Sequence, residues 1–274
     1  MQKDTVLITV KTYPTLSSTY GELACTAGLR KDGSWVRIYP IPYRRLKENY
    51  QFKKYTWIEL PLEKNHKDLR PESYRPVDLS QITQLEFVDT SCNWQKRKEL
   101  ILEKLHCYAD MSELVAKAKN NELSLAIFKP SQIENFIWEE SEREWDKKKL
   151  NDVLAVLNQG SLFPTDEFVE DFKIADKLPY KFYYVFRDIN GKRSKLMIED
   201  WEVGALYRNC FRKYKSEEKA LEKVKEKFLR TFVDKHDLYF YLGTTLEWHL
   251  RAPNPFVIVG TFAPPKQRQT YLDF

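Results

Sequence analysis

Short runs rich in β-branched and aromatic residues recur along residues 1–92, at 6–10, 22–29, 34–41, 55–62 and 82–88. Turn-forming residues separate them, and the Lys31-Asp32-Gly33 step between two runs predicts a hairpin with Gly33 at positive φ. Five short strands at this spacing fit a small barrel or a strongly bent sheet. From Trp94 the period changes: Leu100, Ile101 and Leu105 recur at helical spacing, and a second helix over 111–119 follows Asp110 as N-cap. A short strand over 123–128 stops at Pro130, and the charge-dense stretch within 134–157 reads as a solvated helix or loop. Strands over 181–187 and 194–198 flank Asn190-Gly191, a hairpin signal. An amphipathic helix over 217–233 starts at Ser216 as N-cap, with Ala220, Leu221, Val224, Phe228 and Phe232 on one side. Strands over 238–242 and 255–262 end the pattern.

These elements predict an α+β protein: an N-terminal β-rich domain over 1–92 (small barrel or bent sheet), a helical acidic connector over 93–178, and a C-terminal α+β domain over 179–274. With 274 residues, 42% of them hydrophobic, the chain can fill such cores, which excludes disorder. No run approaches the roughly 20 apolar residues of a membrane helix, and the start has no signal-peptide h-region, so a cytoplasmic protein is expected.

The formal net charge of +5 hides a pattern. Counted by segment it is +5 over 1–100, −6 over 101–180 and +6 over 181–274. Phosphate binding depends on potential within a Debye length, about 8–10 Å, and not on the chain total. Residues 30–54 alone hold eight basic and two acidic side chains with aromatic residues between them. Cations that track phosphates and rings on which bases stack hold single-stranded nucleic acid. Period-two alternation in 34–41 places Trp35, Arg37 and Tyr39 on one face and Val36, Ile38 and Pro40 on the other. A packing alternative has Trp35 and Tyr39 under a second layer and Arg37 paired with a carboxylate. Tyr43, Arg44 and Arg45 extend the basic, aromatic stretch.

A second basic stretch places Arg208 and Arg212 beside Tyr207 and Phe211 on a helix over 201–214. The loop from Gly243-Thr-Thr to Arg251 offers hydroxyls and backbone N–H groups to a phosphate, and Trp248 as a stacking surface. For catalysis the best cluster is Glu199, Asp200 and Glu202 beside Lys195, of the kind that holds Mg²⁺ in nucleases, or else a helix N-terminus favoured by the macrodipole. No Walker A, G-x-S-x-G or G-x-G-x-x-G pattern occurs, and Cys25, Cys92, Cys107 and Cys210 form no C-x-x-C pair, so neither a structural zinc nor a disulfide is expected.

Ala24-Cys-Thr-Ala-Gly-Leu followed by Gly33-Ser-Trp-Val-Arg-Ile-Tyr-Pro resembles a pattern in uncharacterised bacterial proteins linked to mobile elements and to nucleotide-modification or defence loci. It departs from that pattern where Ile38-Tyr39 stands in place of a proline. The strands Phe240-Tyr-Leu-Gly-Thr and Asn254-Pro-Phe-Val-Ile-Val-Gly-Thr-Phe are similar in style to β-barrel modules of the PUA, ASCH and EVE kind. The resemblance implies recognition of RNA, other nucleic acid or modified bases; a role in antiviral defence and no cofactor are expected.

The expectation is therefore a non-catalytic protein that binds single-stranded or modified DNA or RNA. Trp35, Tyr39 and Tyr43 would stack on bases, Arg37, Arg44 and Arg45 would contact phosphate, and Arg208, Arg212, Trp248 and Arg251 would form a second contact surface. The alternatives are a metal-dependent enzyme on nucleic acid using Asp200 and Glu202, and an adaptor whose acidic middle docks a protein partner.

Overall fold

The apolar opening of the chain becomes β1 (Asp4–Lys11), the spine of a seven-stranded sheet. In this computed structural model, which describes residues 3–18, 21–158 and 174–266, β2 (Thr15–Ser17) and β3 (Gly21–Leu23) form a separate two-stranded ribbon. The strands β4 (Thr26–Leu29), β5 (Trp35–Ile38), β6 (Thr56–Leu60), β7 (Leu62–Lys64), β8 (Ser73–Pro76) and β9 (Thr83–Phe87) complete the first sheet, in the order β7-β8-β5-β4-β1-β6-β9. It curls into a half-barrel. The expected hairpin joins β4 to β5, with Gly33 at φ +87°.

Both faces of this sheet are covered, which is why β1 reads as nearly continuous apolar sequence. Val6, Ile8, Val36, Ile38 and Ile58 pack with Leu46 and Phe52 from the segment before β6. Leu7, Val10, Ala27 and Leu29 point the other way, against a second sheet. A bulge between Ile8 and Val10 shifts the alternation by one residue and bends the strand.

The second sheet runs β10-β11-β15-β16-β14-β13-β12, built from β10 (Cys107–Tyr108), β11 (Leu125–Phe128), β12 (Gln132–Glu140), β13 (Tyr180–Arg187), β14 (Arg193–Ile198), β15 (Tyr239–Thr244) and β16 (Phe256–Phe262). Leu125, Ile127, Tyr241 and Val259 meet the first sheet. Ala126, Phe128, Tyr184, Phe186, Phe240 and Leu242 face the helices. The overall class is thus α+β as expected, with a bent N-terminal sheet and a mixed C-terminal one.

The helices are α1 (Ser91–Lys98), α2 (Met111–Lys119), α3 (Lys147–Asn158), α4 (Trp201–Tyr214) and α5 (Glu217–Lys225). Asp110 accepts from Ser112 N at 2.7 Å and Ser216 from Lys219 N at 3.3 Å, so both expected N-caps form. The α5 helix continues over 226–235 as wider turns, which carry Phe228 and Phe232 into the same core.

The connector expected over 93–178 needs correction, because β10, β11 and β12 lie within it and all belong to the second sheet. The charged stretch from Glu134 starts as strand: β12 pairs with β13 along its length, from Gln132–Arg187 to Glu140–Tyr180. Its pattern is disguised by a bulge at Ile133/Asn135 and by outward glutamates, of which Glu134 pairs with Arg187 and Arg193 and Glu139 with Lys195. No helix among the described residues is long and apolar enough to cross a membrane.

Candidate functional site

The two sheets do not meet everywhere. Where the ends of β1, β4 and β5 face the loop after β7, Glu199 after β14, and the ends of β15 and β16, they leave a cavity of about 350 Å³. Arg37 and Tyr39 of the first basic stretch line it together with Thr244 and Thr245, which the sequence singled out separately, and Glu199 from the acidic cluster. The alternation expected in β5 holds: Val36 and Ile38 enter the first core, while Trp35 turns to the other side and packs edge-on against Tyr241 at 5.9 Å.

Arg37 dominates the cavity. It is 2% exposed and donates from Nη1 to Cys25 Sγ at 3.4 Å and from Nη2 to Ser124 O at 3.1 Å and Oγ at 3.2 Å. Ser124 in turn donates to the Glu72 carboxylate from N at 2.9 Å and from Oγ at 2.6 Å, so Ser124 relays Arg37 to Glu72 in place of a direct ion pair. The Nε of Arg37 has no partner among the described residues. Burial pushes the guanidinium pKa down, as expected for a charge taken out of water. A buried cation without a direct ion pair costs several kcal/mol, roughly the penalty an anionic or oxygen-bearing ligand would offset.

Glu199 supplies the opposite polarity. Its backbone is fixed by Tyr13 N donating to its carbonyl at 2.7 Å and by its own N–H donating to Ile258 O at 2.8 Å. Burial raises its carboxyl above the ordinary range, with Arg37 acting in the opposite direction. Arg70 and Asp68, which the sequence reading missed, stiffen the wall. Arg70 forks onto Asp68 at 2.9 and 2.6 Å, and its Nη1 reaches across to Thr244 O on the second sheet. Burial works against the Asp68 charge, but Arg70 and Ser73 hold its pKa down at about 2. His249 lies buried behind the wall, with Nδ1 2.9 Å from Thr244 Oγ1 and Nε2 2.8 Å from Asn121 Oδ1. Thr245 Oγ1 is buried without a partner among the described residues. Tyr39, Val257 and Val259 supply ring and aliphatic surface, Lys67 is an exposed cation, and exposed Arg75 pairs with Glu63 at 2.6 Å.

The other expected residues are placed differently. Tyr43 is a core residue whose hydroxyl donates to Phe52 O at 2.6 Å, and Arg45 is buried too, so neither is on an open surface as expected. Trp35 is likewise covered by the second sheet, because the face that carries it is an inter-sheet face. Arg44, Arg208 and Arg212 do come together, in a groove of about 430 Å³ with Tyr13, Trp201 and Phe211. There Arg44 already pairs with Glu22 at 2.8 Å, and Arg208 donates to Lys177 O. Trp248 and Arg251 are exposed on the turn after β15.

Asp200 and Glu202 are the helix N-terminus that the sequence offered as an alternative to a metal site. Asp200 caps α4 by accepting from Glu202 N at 3.1 Å, and Lys54 Nζ lies 3.1 Å from Asp200 and 2.9 Å from Glu202. An ammonium thus stands between the two carboxylates. Lys195 is engaged elsewhere, with Glu139 and the Tyr183 ring. Among the described residues no group of three His, Cys, Asp or Glu side chains converges as metal ligands, and the four cysteines are free thiols.

Two family profiles match the sequence. One, described as Domain of unknown function (DUF8758), covers residues 2–103, the first sheet and the helical segment after it. The other, described as Domain of unknown function (DUF8757), covers residues 107–273 and hence the second sheet. No curated protein matches the sequence.

Proposed function

The chain belongs to the family described as Domain of unknown function (DUF8757), and for this member we propose nucleic-acid binding in which one nucleotide is held in the cavity between the two sheets. The observation that carries the reading is Arg37: a fully buried guanidinium, lining a cavity, with a donor left unsatisfied. A volume of about 350 Å³ lies at the small end of ligand cavities, roughly 300–1,000 Å³, and suits one nucleotide better than a long ligand. A nucleobase needs what lines this cavity: an apolar slot for its faces, a donor for its carbonyl or ring-nitrogen acceptors, and an acceptor for its N–H groups. Arg37 is the donor, Glu199 the acceptor, and Tyr39 with Val257 and Val259 the slot.

Around the cavity, exposed Lys67 provides positive charge for a phosphate backbone, and a separate groove gathers Arg44, Arg208 and Arg212. The test is titration of labelled single-stranded DNA and RNA, and of nucleoside monophosphates, at two salt concentrations. Strand affinity should fall steeply with salt, and Arg37→Met, which keeps much of the aliphatic volume, should reduce binding by at least about tenfold, the range for a lost hydrogen bond to a charged group. Absence of binding by every probe, or binding unchanged in Arg37→Met, overturns the reading.

A further inference from the structure

The turn after β15 exposes three large apolar side chains, Leu246 at 54%, Trp248 at 50% and Leu250 at 51%, and across the mouth Leu69 is 72% exposed. Single exposed apolar residues need no explanation, but three on one short turn, Leu246, Trp248 and Leu250, do. Leu246 itself lines the cavity, so the apolar tip is continuous with it.

The tip is also held firmly. The Trp248 carbonyl accepts from Arg251 N at 3.2 Å and Ala252 N at 3.0 Å, closing the turn. His249 is buried between Leu250 and Trp248 in sequence and is tied to Thr244 and Asn121, while Asn121 Nδ2 donates to Leu69 O at 3.0 Å. Arg70 reaches the Thr244 carbonyl from the other lip. These bonds fix both lips to one another, and the apolar side chains project from a hydrogen-bonded base, with exposed Lys67 two residues before Leu69, exposed Arg251 next to Leu250, and Glu247 as an exposed anion between Leu246 and Trp248.

We propose that this turn is a wedge for double-stranded nucleic acid: Leu246, Trp248 and Leu250 fill the space in the base stack left when one nucleotide swings out into the cavity. The proposal rests on the cavity reading above. A base held in the cavity has left its stack, and an apolar side chain inserted in its place offsets the lost stacking. The cations on the two lips supply the phosphate contacts that a duplex requires and that a purely apolar protein partner does not.

The experiment uses the full chain and three probes: a DNA duplex and an RNA duplex, each with 2-aminopurine at one position, the same strands unpaired, and nucleoside monophosphates. The wild type should bind at least one duplex and raise its 2-aminopurine fluorescence as the base unstacks. The double variant Trp248→Ala, Leu250→Ala, which leaves the cavity-lining Leu246 in place, should lose about tenfold or more in duplex affinity and the fluorescence rise, as expected for loss of one stacked aromatic, with monophosphate affinity within about twofold of wild type. Binding to strands and monophosphates but to neither duplex overturns the wedge and leaves the cavity reading intact. So does a double variant with unchanged duplex affinity, or one that loses monophosphate affinity equally. Failure of every probe, with Arg37→Met indistinguishable from wild type, overturns both.

Discussion

The ion cluster at Asp200 joins the two halves of the molecule, and its removal makes a quantitative prediction. Lys54 comes from the segment before β6, Asp200 from the end of β14, and both are buried. Burial works against the Lys54 charge, but Asp200 and Glu202 overcome it and hold its pKa above the ordinary lysine range. The Asp200 carboxylate also accepts from Thr261 N at 3.0 Å and caps α4. In Asp200→Ala the buried ammonium keeps only half-exposed Glu202, at 2.9 Å. Breaking a buried pair from one side costs about 3–5 kcal/mol, and the lost cap adds about 1 kcal/mol. The expected loss is therefore about 4–6 kcal/mol, a large part of a domain stability of about 5–15 kcal/mol. Asp200→Asn keeps a capping oxygen and should lose only about 2–3 kcal/mol, the value of a hydrogen bond to a charged group. In Lys54→Met with Asp200→Asn neither charge remains, so the double variant should be more stable than the sum of its parts by at least about 1 kcal/mol. Urea unfolding followed by tryptophan fluorescence reads this out, with Trp201 adjacent to the substituted residue. If Asp200→Asn lies within about 0.5 kcal/mol of wild type, or the double variant is strictly additive, the pair does not join the halves as argued.

Two further predictions follow from buried groups. Burial raises the Glu199 carboxyl pKa in the folded state, so the contribution of this group is fully present below the unfolded pKa and is lost as pH rises through the folded value. Glu199→Gln should thus be more stable than wild type at pH 7 with the gain vanishing towards pH 4, and a gain of equal size at both pH values in urea unfolding would refute the assignment. Gly204 lies within α4, where alanine is intrinsically favoured by about 1 kcal/mol, but a Cβ there would sit 2.2 Å from Tyr13 Cδ2 and 2.9 Å from Leu178 Cδ1. Gly204→Ala should lower stability by about 1–3 kcal/mol through displacement of Tyr13, and a raised Tm would show that the contact is loose.

The sequence by itself determined the local devices. Gly33 and Asn190-Gly191 mark hairpins because few other residues accept positive φ, and both glycines have it, at +87° and +75°. Asp110 and Ser216 cap helices because a side-chain oxygen at that position reaches a free N–H within the next turn. The alternation of Trp35, Arg37 and Tyr39 against Val36 and Ile38 was legible as well, since it depends only on the strand period. What covers each face was not. The side bearing Arg37 reads as an open basic, aromatic surface until Ser124, Tyr241 and Glu199, all far along the chain, close over it. For the same reason β12 was hidden: its partner β13 lies beyond α3, and a bulge with outward glutamates masks the period. The cavity gathers Thr12, Cys25, Arg37, Arg70, Glu199 and Thr244 from segments that share no local signal. Hairpins, caps and strand faces are set by interactions within a few residues and can be read along the chain; burial, pairing and the polarity of a cavity come from contacts between distant segments, and only tertiary structure decides those.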